Sequence, residues 1–315
     1  MQFTTKISIQ NKHFPINYDS KILLLGSCFA ENIADKFTYY KFQSKVNPLG
    51  VMFHPLAILD LLKRAQNRTD FTEKDIFFSN GYWQSYSAHS RLNNQSKKDI
   101  ISDLNSAVLS TKTQLMAASH VVLTFGSAWV YTFIKSQTIV ANCHKQPQKE
   151  FKKSLLSIDQ LNESLESIIS ILKSFNPKMT IIFTISPVRH LKDGFVENNH
   201  SKSQLISALH PIVSSSENTH YFPSFELVMD ELRDYRFYKD DMMHPNQLAI
   251  DYIWERFQSS WIESDVKLTM NEVSRLQKGL DHKPFNPSSK AHIAFLSNLS
   301  KGVDTLVCKY PFMKF

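Results

Sequence analysis

The segment Lys21-Ile-Leu-Leu-Leu-Gly26 is followed directly by Ser27 and gives the strongest indication of the fold. A short apolar run that ends at a glycine is typical of a buried strand in a parallel sheet. The residues after Ser27 have helical character from Ala30 to Lys36. The sequence therefore predicts a strand, a sharp turn at Ser27 and a helix.

The same kind of apolar run recurs further along the chain, at residues 120–125, 179–185 and 220–222. Amphipathic helical stretches separate these runs, and the clearest covers residues 157–175. Strands that alternate with helices predict a three-layer α/β/α sandwich with a mainly parallel sheet. Ser27, Gly126 and Ser186 each follow a predicted strand, so we expect them at the edge of the sheet where ligands bind.

Composition limits the classes of function. Of the 315 residues, 42% are hydrophobic and 21% charged, as in a globular protein. The formal net charge is +7, but the lysines are scattered rather than gathered in a basic stripe, so we expect no nucleic-acid partner.

Three cysteines do not form a disulfide framework, and no apolar run is long enough to span a membrane. The segment from Met1 to Lys6 lacks the features of a signal peptide. We therefore expect a soluble cytoplasmic protein with no membrane partner, and the oligomeric state stays open.

The character of the sequence changes after Trp261. Residues 1–261 carry the strands and helices of the sandwich. Residues 262–315 contain a helix near Thr269, and we expect Pro284, Pro287 and Gly302 to break up the remainder. We expect the second part to be a helical and irregular extension that packs on the main domain.

Two segments carry candidate chemistry. Ser27 lies where a strand meets a helix, and free N–H groups at a helix N-terminus stabilise negative charge; a simple helix-capping role is the alternative. The Asp241-Met-Met-His244 segment lies in a loop before a helix. Two intervening residues in a turn let the Asp241 carboxylate contact Nδ1 of His244, which leaves Nε2 to accept a proton from a serine.

The segment Gly26-Ser27-Cys28-Phe29-Ala30 matches the signature of the GSCFA family, which resembles a branch of the SGNH hydrolases. The resemblance covers roughly residues 1–262 and includes further segments in order: Asn47–Gly50, Thr124–Tyr131, Ala141–Pro147, Ser186–His190, Asp230–Phe237 and Asp241–Pro245. It implies a flavodoxin-like sheet and a triad in which Ser27 is the nucleophile, His244 the base and Asp241 the residue that orients the base.

The resemblance also implies an oxyanion hole, with backbone N–H groups from Ser27 and from Gly50. Relatives supply an asparagine side chain from a third block, but this chain has Gly126-Ser127-Ala128 there, and Ala128 cannot donate. Losing one such donor typically costs about two to three decades in rate. Asn47, Ser127, Asn142 and His144 are the candidate replacements.

Other polar residues near the predicted site have alternative roles. Cys28 shares the helix N-terminus with Ser27 and is a rival nucleophile, but we expect it to pack, because the next residue of a helix points about 100° away. Arg189 and His190 follow a strand end and could equally bind a substrate or anchor a loop. No metal site stands out, and we expect no cofactor.

The sequence thus predicts a serine hydrolase that acts on O-acyl esters, with an O-acetylated carbohydrate or another small ester as substrate. Two alternatives remain open. An O-acyltransferase would use the same triad with an acceptor other than water. A catalytically weak module that binds a glycan or protein would explain the missing third-block asparagine.

Overall fold

The structure is a computed structural model that describes residues 4–9 and 14–315, so Met1–Phe3 of the N-terminal prediction lie outside it. The strands are β1 (Lys21–Gly26), β2 (Gln43–Val46), β3 (Phe77–Ser79), β4 (Tyr82–Gln84), β5 (His120–Phe125), β6 (Trp129–Phe133), β7 (Thr138–Val140), β8 (Phe151–Leu155), β9 (Thr180–Ile185) and β10 (Thr219–Tyr221). The longer helices are α1 (Cys28–Tyr39), α2 (Pro55–Asn67), α3 (Lys97–Ala117), α4 (Ile158–Phe175) and α5 (Phe195–Ser215). They are followed by α6 (Ser224–Glu226), which continues as π-helical turns over Leu227–Leu232, and by α7 (Gln247–Trp261), α8 (Val266–Leu280) and α9 (Lys290–Lys309).

The central sheet has five strands in the order β2-β1-β5-β9-β10, and all of its pairs are parallel. Taken along the chain, this order is second, first, third, fourth and fifth, which is the doubly wound order of flavodoxin-like sheets. The predicted three-layer α/β/α fold is therefore confirmed. In such sheets the ligand crevice lies at the carboxyl ends of the strands where the order reverses, which is between β1 and β5 here.

Both faces of the sheet are buried, because β1 alternates its side chains between two apolar clusters. Leu23 and Leu25 pack in the cluster that contains α2 to α5, and Ile22 and Leu24 pack in the cluster that contains α1 and α7 to α9. A strand that is covered on both faces has a continuous apolar sequence, which explains why residues 22–25 predicted β1.

Gly26 ends β1 where two strands come unusually close. Its φ is 139°, and a Cβ placed there would lie 2.1 Å from the carbonyl oxygen of Thr124 on β5. No other residue fits this position without moving one of the strands. The glycine therefore fixes where β1 stops and where α1 begins.

Two small antiparallel sheets lie outside the main one. The hairpin β3–β4 turns at Asn80-Gly81, a pair typical of tight hairpin turns, and β6 pairs with both β7 and β8. The sequence analysis identified neither β8 nor the edge strand β2. Both are short and carry polar or exposed side chains, so neither shows the apolar pattern of a core strand.

The residues after Trp261 are more regular than predicted. Helix α9 runs through Gly302 without a break, so the expectation that this glycine interrupts the segment is wrong. A Cβ at Gly302 would lie 2.8 Å from a methyl group of Leu276 on α8, so the glycine lets the two helices pack closely. Val273 and Leu276 of α8 and Leu306 of α9 belong to the same apolar cluster as α1.

In the described part of the chain, none of the helices combines the length and apolar character needed to cross a membrane.

Candidate active site

The predicted contact between Asp241 and His244 is present. Oδ2 of Asp241 accepts a hydrogen bond from Nδ1 of His244 at 2.7 Å, and Oδ1 accepts the backbone N–H groups of Met243 and His244, both at 2.9 Å. These backbone bonds and the bond from the ring lower the pKa of Asp241 to about 2, so the carboxylate stays charged. Nε2 of His244 is therefore the nitrogen left for chemistry.

The loop that carries this pair is held at both ends. Tyr238 and Pro245 form an isolated antiparallel bridge, and the N–H of Lys239 donates to the carbonyl of His244 at 2.8 Å. Met242 adopts a positive φ of 55°, which folds the intervening residues into a tight turn. The turn brings the Asp241 carboxylate back onto the His244 ring.

His244 opens on a cavity of about 730 Å³ at the carboxyl edge of the sheet. The walls come from segments far apart in the chain, namely the start of α1, the loop after β2, the turn after β5, the β6–β7 hairpin and the segment after β9. The lining residues include Cys28, Val51, Phe53, Ser127, Trp129, Tyr131, Asn142, Cys143, His144, Arg189 and His190. A volume of this size accommodates a small organic ligand.

Ser27 does not reach this cavity. It is fully buried, it is absent from the lining residues, and its Oγ has no hydrogen-bond partner among the described residues. Its backbone N–H still donates to the carbonyl of Thr124 at 3.0 Å, as in a continuing parallel strand. The predicted hydrogen bond between Ser27 and His244 is therefore not formed. The chain is still strand-like at Ser27, and its Cβ lies beside Gly126, behind the cavity-lining side chains of Phe53 and His190.

Cys28 is the residue that faces the cavity at the start of α1. It occupies the first helical position, where the backbone N–H has no partner within the helix. The rotation between successive residues had suggested that Cys28 points away from the site. The two side chains do point in different directions, but Cys28 is the one that faces the cavity and Ser27 is the one that is buried.

The two N–H groups predicted to stabilise an oxyanion both have other partners. That of Ser27 binds Thr124, and that of Gly50 donates to the carbonyl of Asn47 at 2.8 Å within a tight turn. The side chain of Asn47 is buried and accepts the N–H of Gly26 at 2.8 Å, so it supports the end of β1. In the same loop Val51 lines the cavity, and its N–H takes no part in the backbone hydrogen bonds of the described loop.

Three of the proposed replacement donors lie on the cavity wall. They differ in the hydrogen bonds that they already make, and therefore in whether a donor is left free. Ser127 Oγ contacts Ser201 Oγ at 3.2 Å and accepts the N–H of Trp129 at 3.0 Å. The ring of His144 contacts the carbonyl of Ser85 through Nε2 at 2.7 Å, and burial lowers its pKa, so the neutral ring has no second N–H to donate. Asn142 accepts the N–H of His144 through Oδ1, which leaves its Nδ2 as the donor of this segment.

Ala128 does not face the cavity. It is fully buried, and its N–H donates to Ser201 Oγ at 2.7 Å. An asparagine at this position would extend into the core. The path of the backbone after β5 thus keeps position 128 away from the cavity. The oxyanion donor that relatives supply from the third block has to come from another segment here.

Arg189 and His190 line the cavity, but their contacts are mainly structural. The guanidinium of Arg189 lies over the rings of Tyr235 and Tyr238, at 5.2 and 4.6 Å, and the backbone N–H of Arg189 donates to the carbonyl of Met243 at 3.1 Å. These contacts describe the loop-anchoring alternative, because they fix the segment that carries His244. The pKa of His190 is lowered to about 3 by burial and by the nearby charges of Lys202 and His244, so this ring is neutral.

Lys202 is a buried residue that the sequence analysis missed. Its Nζ donates to the carbonyls of Gly126 and Ser186, both at 2.7 Å, and thereby ties together the ends of β5 and β9. Burial lowers its pKa from 10.5 to about 7. Lys202 shares a helical face with Leu205 and Leu209, so a lysine within an apolar stripe was the signal available in the sequence.

The residues that the structure describes contain no group of three or more His, Cys, Asp or Glu side chains arranged to hold a metal ion.

The fold and the cavity define a doubly wound α/β protein whose candidate site lies at the switch point of a parallel sheet, between the start of α1 and an Asp–His pair. The model of the GSCFA family matches residues 21–257, and that of the GSCFA domain protein, C-terminal domain, matches residues 273–315. The chain therefore belongs to the GSCFA family. No curated protein matches it.

Three solved structures are similar to this chain at low sequence identity. A Streptococcus pneumonia protein named for platelet activating factor is 12% identical, with a TM-score of 0.43, over 76% of this chain and 83% of its own. A carbohydrate esterase family 3 from Talaromyces cellulolyticus is 10% identical, with a TM-score of 0.36, over 80% and 99%. A family two carbohydrate esterase from Clostridium thermocellum is 11% identical, with a TM-score of 0.38, over 82% and 66%. Likenesses this distant carry no inference about activity.

Proposed function

We propose that this protein is an ester hydrolase that works through a covalent acyl-enzyme. The observation that carries the proposal is the Asp241–His244 pair: Nδ1 of His244 is bound to Asp241, and His244 lines a cavity next to the N-terminus of α1. A histidine oriented by a carboxylate is the usual base that activates a nucleophile in acyl transfer. Free N–H groups at a helix start then stabilise the negative charge of the tetrahedral intermediate.

In this proposal each residue has a defined role. His244 removes the proton of the nucleophile and later returns it to the leaving alcohol, while Asp241 holds the ring in the tautomer that leaves Nε2 as acceptor. The N–H groups of Cys28 and Val51 and the Nδ2 of Asn142 are the candidate oxyanion donors, in place of those of Ser27 and Gly50.

The substrate we propose is an O-acyl ester of a hydroxyl-rich alcohol, with an O-acetylated carbohydrate as the first candidate. The wall opposite α1 combines aromatic side chains, Trp129 and Tyr131, with the polar side chain of Asn142. An aromatic surface with a few polar groups suits a molecule that has both apolar faces and hydroxyls. The cytoplasm remains the proposed location.

The test is a screen of purified protein against aryl acetates and acetylated sugars, with and without free sugar as acceptor. We expect hydrolysis by the wild type and a loss on the order of 10³-fold in kcat/KM for His244→Ala, because general base catalysis contributes about two to four decades. His200→Ala is the matched control, since His200 is exposed and lies outside the cavity.

The other outcomes decide between the alternatives. Acyl transfer to the added sugar at the expense of hydrolysis would identify an O-acyltransferase. Binding of an acetylated sugar by the wild type, without turnover of any ester, would instead identify a binding module and contradict the proposal.

A further inference from the structure

An acyl-enzyme requires a nucleophile on the same cavity as His244, and the lining offers few. Ser27 is buried below the cavity, and Ser127 is engaged by Ser201 and by the N–H of Trp129. Cys28 and Cys143 both line the cavity, and both are free thiols. Among the serines and cysteines of the lining, the choice therefore lies between Cys28 at the start of α1 and Cys143 in the loop after β7.

The two thiols differ in their surroundings. Cys28 occupies the first position of α1, a helix of 12 residues, and the backbone N–H groups of Cys28 and Phe29 stabilise its thiolate. Lys202 adds a favourable charge from below. Cys143 lies in a loop after β7, where burial raises its pKa to about 11 and Lys192 is the favourable charge nearby. Burial raises the pKa of both thiols, but only Cys28 has backbone N–H groups of a helix start beside its sulfur.

Cys28 still needs a base. Burial and the charge of Glu31 outweigh the N–H groups and Lys202, so the pKa of the thiol is raised and the free protein holds it protonated. A protonated thiol attacks an ester when a neighbouring base removes its proton, and His244 lines the same cavity. The described residues show no hydrogen bond between Cys28 and His244, and catalytic contacts are often looser before substrate binds.

A further polar group lies buried in the wall of the cavity. Nδ1 of His144 is buried, has no partner among the described residues, and belongs to a side chain that is 6% exposed and lines the cavity. The neutral ring presents a bare acceptor there, because Nε2 is bound to Ser85. A buried acceptor without a partner is costly, so a donor such as a substrate hydroxyl would satisfy it.

The geometry points to Cys28, and not Ser27, as the nucleophile of the ester hydrolase, acting with His244 and Asp241 as a Cys-His-Asp triad. This inference rests on the proposed function. His244 Nε2 takes the thiol proton as Sγ bonds to the acyl carbon, and the C–O bond to the alcohol breaks as His244 returns that proton to the alcohol oxygen. Water then gives a proton to His244 and its oxygen to the acyl carbon. The C–S bond breaks, the carboxylic acid leaves, and Cys28 takes back its proton.

The test follows an aryl acetate with the wild type and four variants, Cys28→Ala, Cys28→Ser, Ser27→Ala and Cys308→Ala. We expect Cys28→Ala to lose on the order of 10³-fold in kcat/KM, while Ser27→Ala retains most turnover because it removes a hydroxyl that has no partner. Cys308 is exposed on α9 and serves as the control thiol. Circular dichroism confirms that each variant is folded.

Mass spectrometry of the trapped intermediate identifies the atom that carries the acyl group. We expect one acetyl on the peptide that contains Cys28, released by neutral hydroxylamine as a thioester is. Cys28→Ser should instead carry an oxygen ester that resists this treatment. An inactive Ser27→Ala beside an active Cys28→Ala, or a hydroxylamine-resistant acetyl on Ser27 of the wild type, would overturn the inference and leave the hydrolase proposal standing.

A second measurement does not depend on turnover. Iodoacetamide should alkylate Cys28 faster than Cys143, and His244→Ala should slow the reaction at Cys28 but not that at Cys143. If no ester is hydrolysed but this pattern holds, the proposed substrate class fails and the Cys28–His244 pair stands. Equal rates at the two cysteines, unaffected by His244→Ala, would overturn the pair.

Discussion

The two sides of the cavity are built in different ways. On the α1 side, Cys28 follows a strand that is buried on both faces, and Gly26, Asn47 and Thr124 lock the turn before it. On the β7 side, Asn142, Cys143 and His144 belong to a loop beside a small outer sheet, and His144 and Lys145 both adopt a positive φ. Groups that react must be held in a precise geometry, whereas groups that recognise a ligand can move to fit it. The α1 side therefore suits the nucleophile, and the β7 side suits groups that contact the substrate, including the oxyanion donor proposed for Asn142.

The largest expected effect tests the rigidity of the α1 side. Gly26→Ala places a Cβ 2.1 Å from the carbonyl oxygen of Thr124, so β1 and β5 must separate. We expect the free energy of unfolding to fall by about 4 kcal/mol or more. Gly81→Ala is the control, because Gly81 also has a positive φ but its Cβ would meet nothing within 4 Å, and it should cost about 1 kcal/mol. Urea titration measures both, and equal costs would contradict the description of the α1 side as locked.

A second prediction concerns the ammonium group beneath the α1 side. The folded protein lowers the pKa of Lys202 from 10.5 to about 7, so between these values the unfolded chain binds a proton that the folded chain does not. The free energy of unfolding should therefore rise with pH across this window, by on the order of 4 kcal/mol, and level off below pH 7, where both states are protonated.

Lys202→Met should remove that rise. Urea titrations of the wild type and the variant from pH 6 to pH 10 compare the two slopes, and Lys178→Met is the control at a lysine of similar chemistry on the exposed surface. A wild type that loses stability across this window relative to Lys202→Met would show that the sign is wrong.

The β7 side is tested through activity rather than stability. Asn142→Asp keeps the oxygen that accepts the N–H of His144 and removes the Nδ2 donor. We expect a loss of about 10²-fold in kcat with little change in KM or in unfolding, because an oxyanion donor acts in the transition state. Steady-state kinetics with an aryl acetate measure the split. A change confined to KM would assign Asn142 to substrate binding alone.

Local pattern was enough to predict the fold and the pair of His244 with Asp241. The apolar runs predicted the parallel strands, and the spacing of two residues predicted the contact of a carboxylate with a histidine ring, which is settled within one turn. Local pattern could not predict which of Ser27 and Cys28 faces the cavity. This depends on where the strand-like hydrogen bonding of β1 stops, because a single residue at a strand-to-helix junction changes which side chain faces the cavity.

Other parts of the site depended on contacts between distant segments. The partners of the Ser27 and Gly50 N–H groups, the carbonyl of Ser85 that occupies His144, and the two carbonyls that hold Lys202 are set by tertiary packing. A motif identifies the residues of such a site but not the direction in which each donor points. The predicted boundary between residues 261 and 262 stays a prediction.

The far end of α1 has a consequence for the order in which the protein is assembled. Tyr39, the last residue of α1, contacts Ser274 of α8 through its hydroxyl at 3.2 Å and accepts a hydrogen bond from Gln277 through its carbonyl. Ile16, which precedes β1, exchanges backbone hydrogen bonds with Trp261 and Glu263. These N-terminal segments thus make contacts with partners that are synthesised more than 200 residues later. Until then the part of α1 that packs against α7 is uncovered, although its contacts with β1, β2 and β5 can form earlier, so this part of a nascent chain is exposed to aggregation.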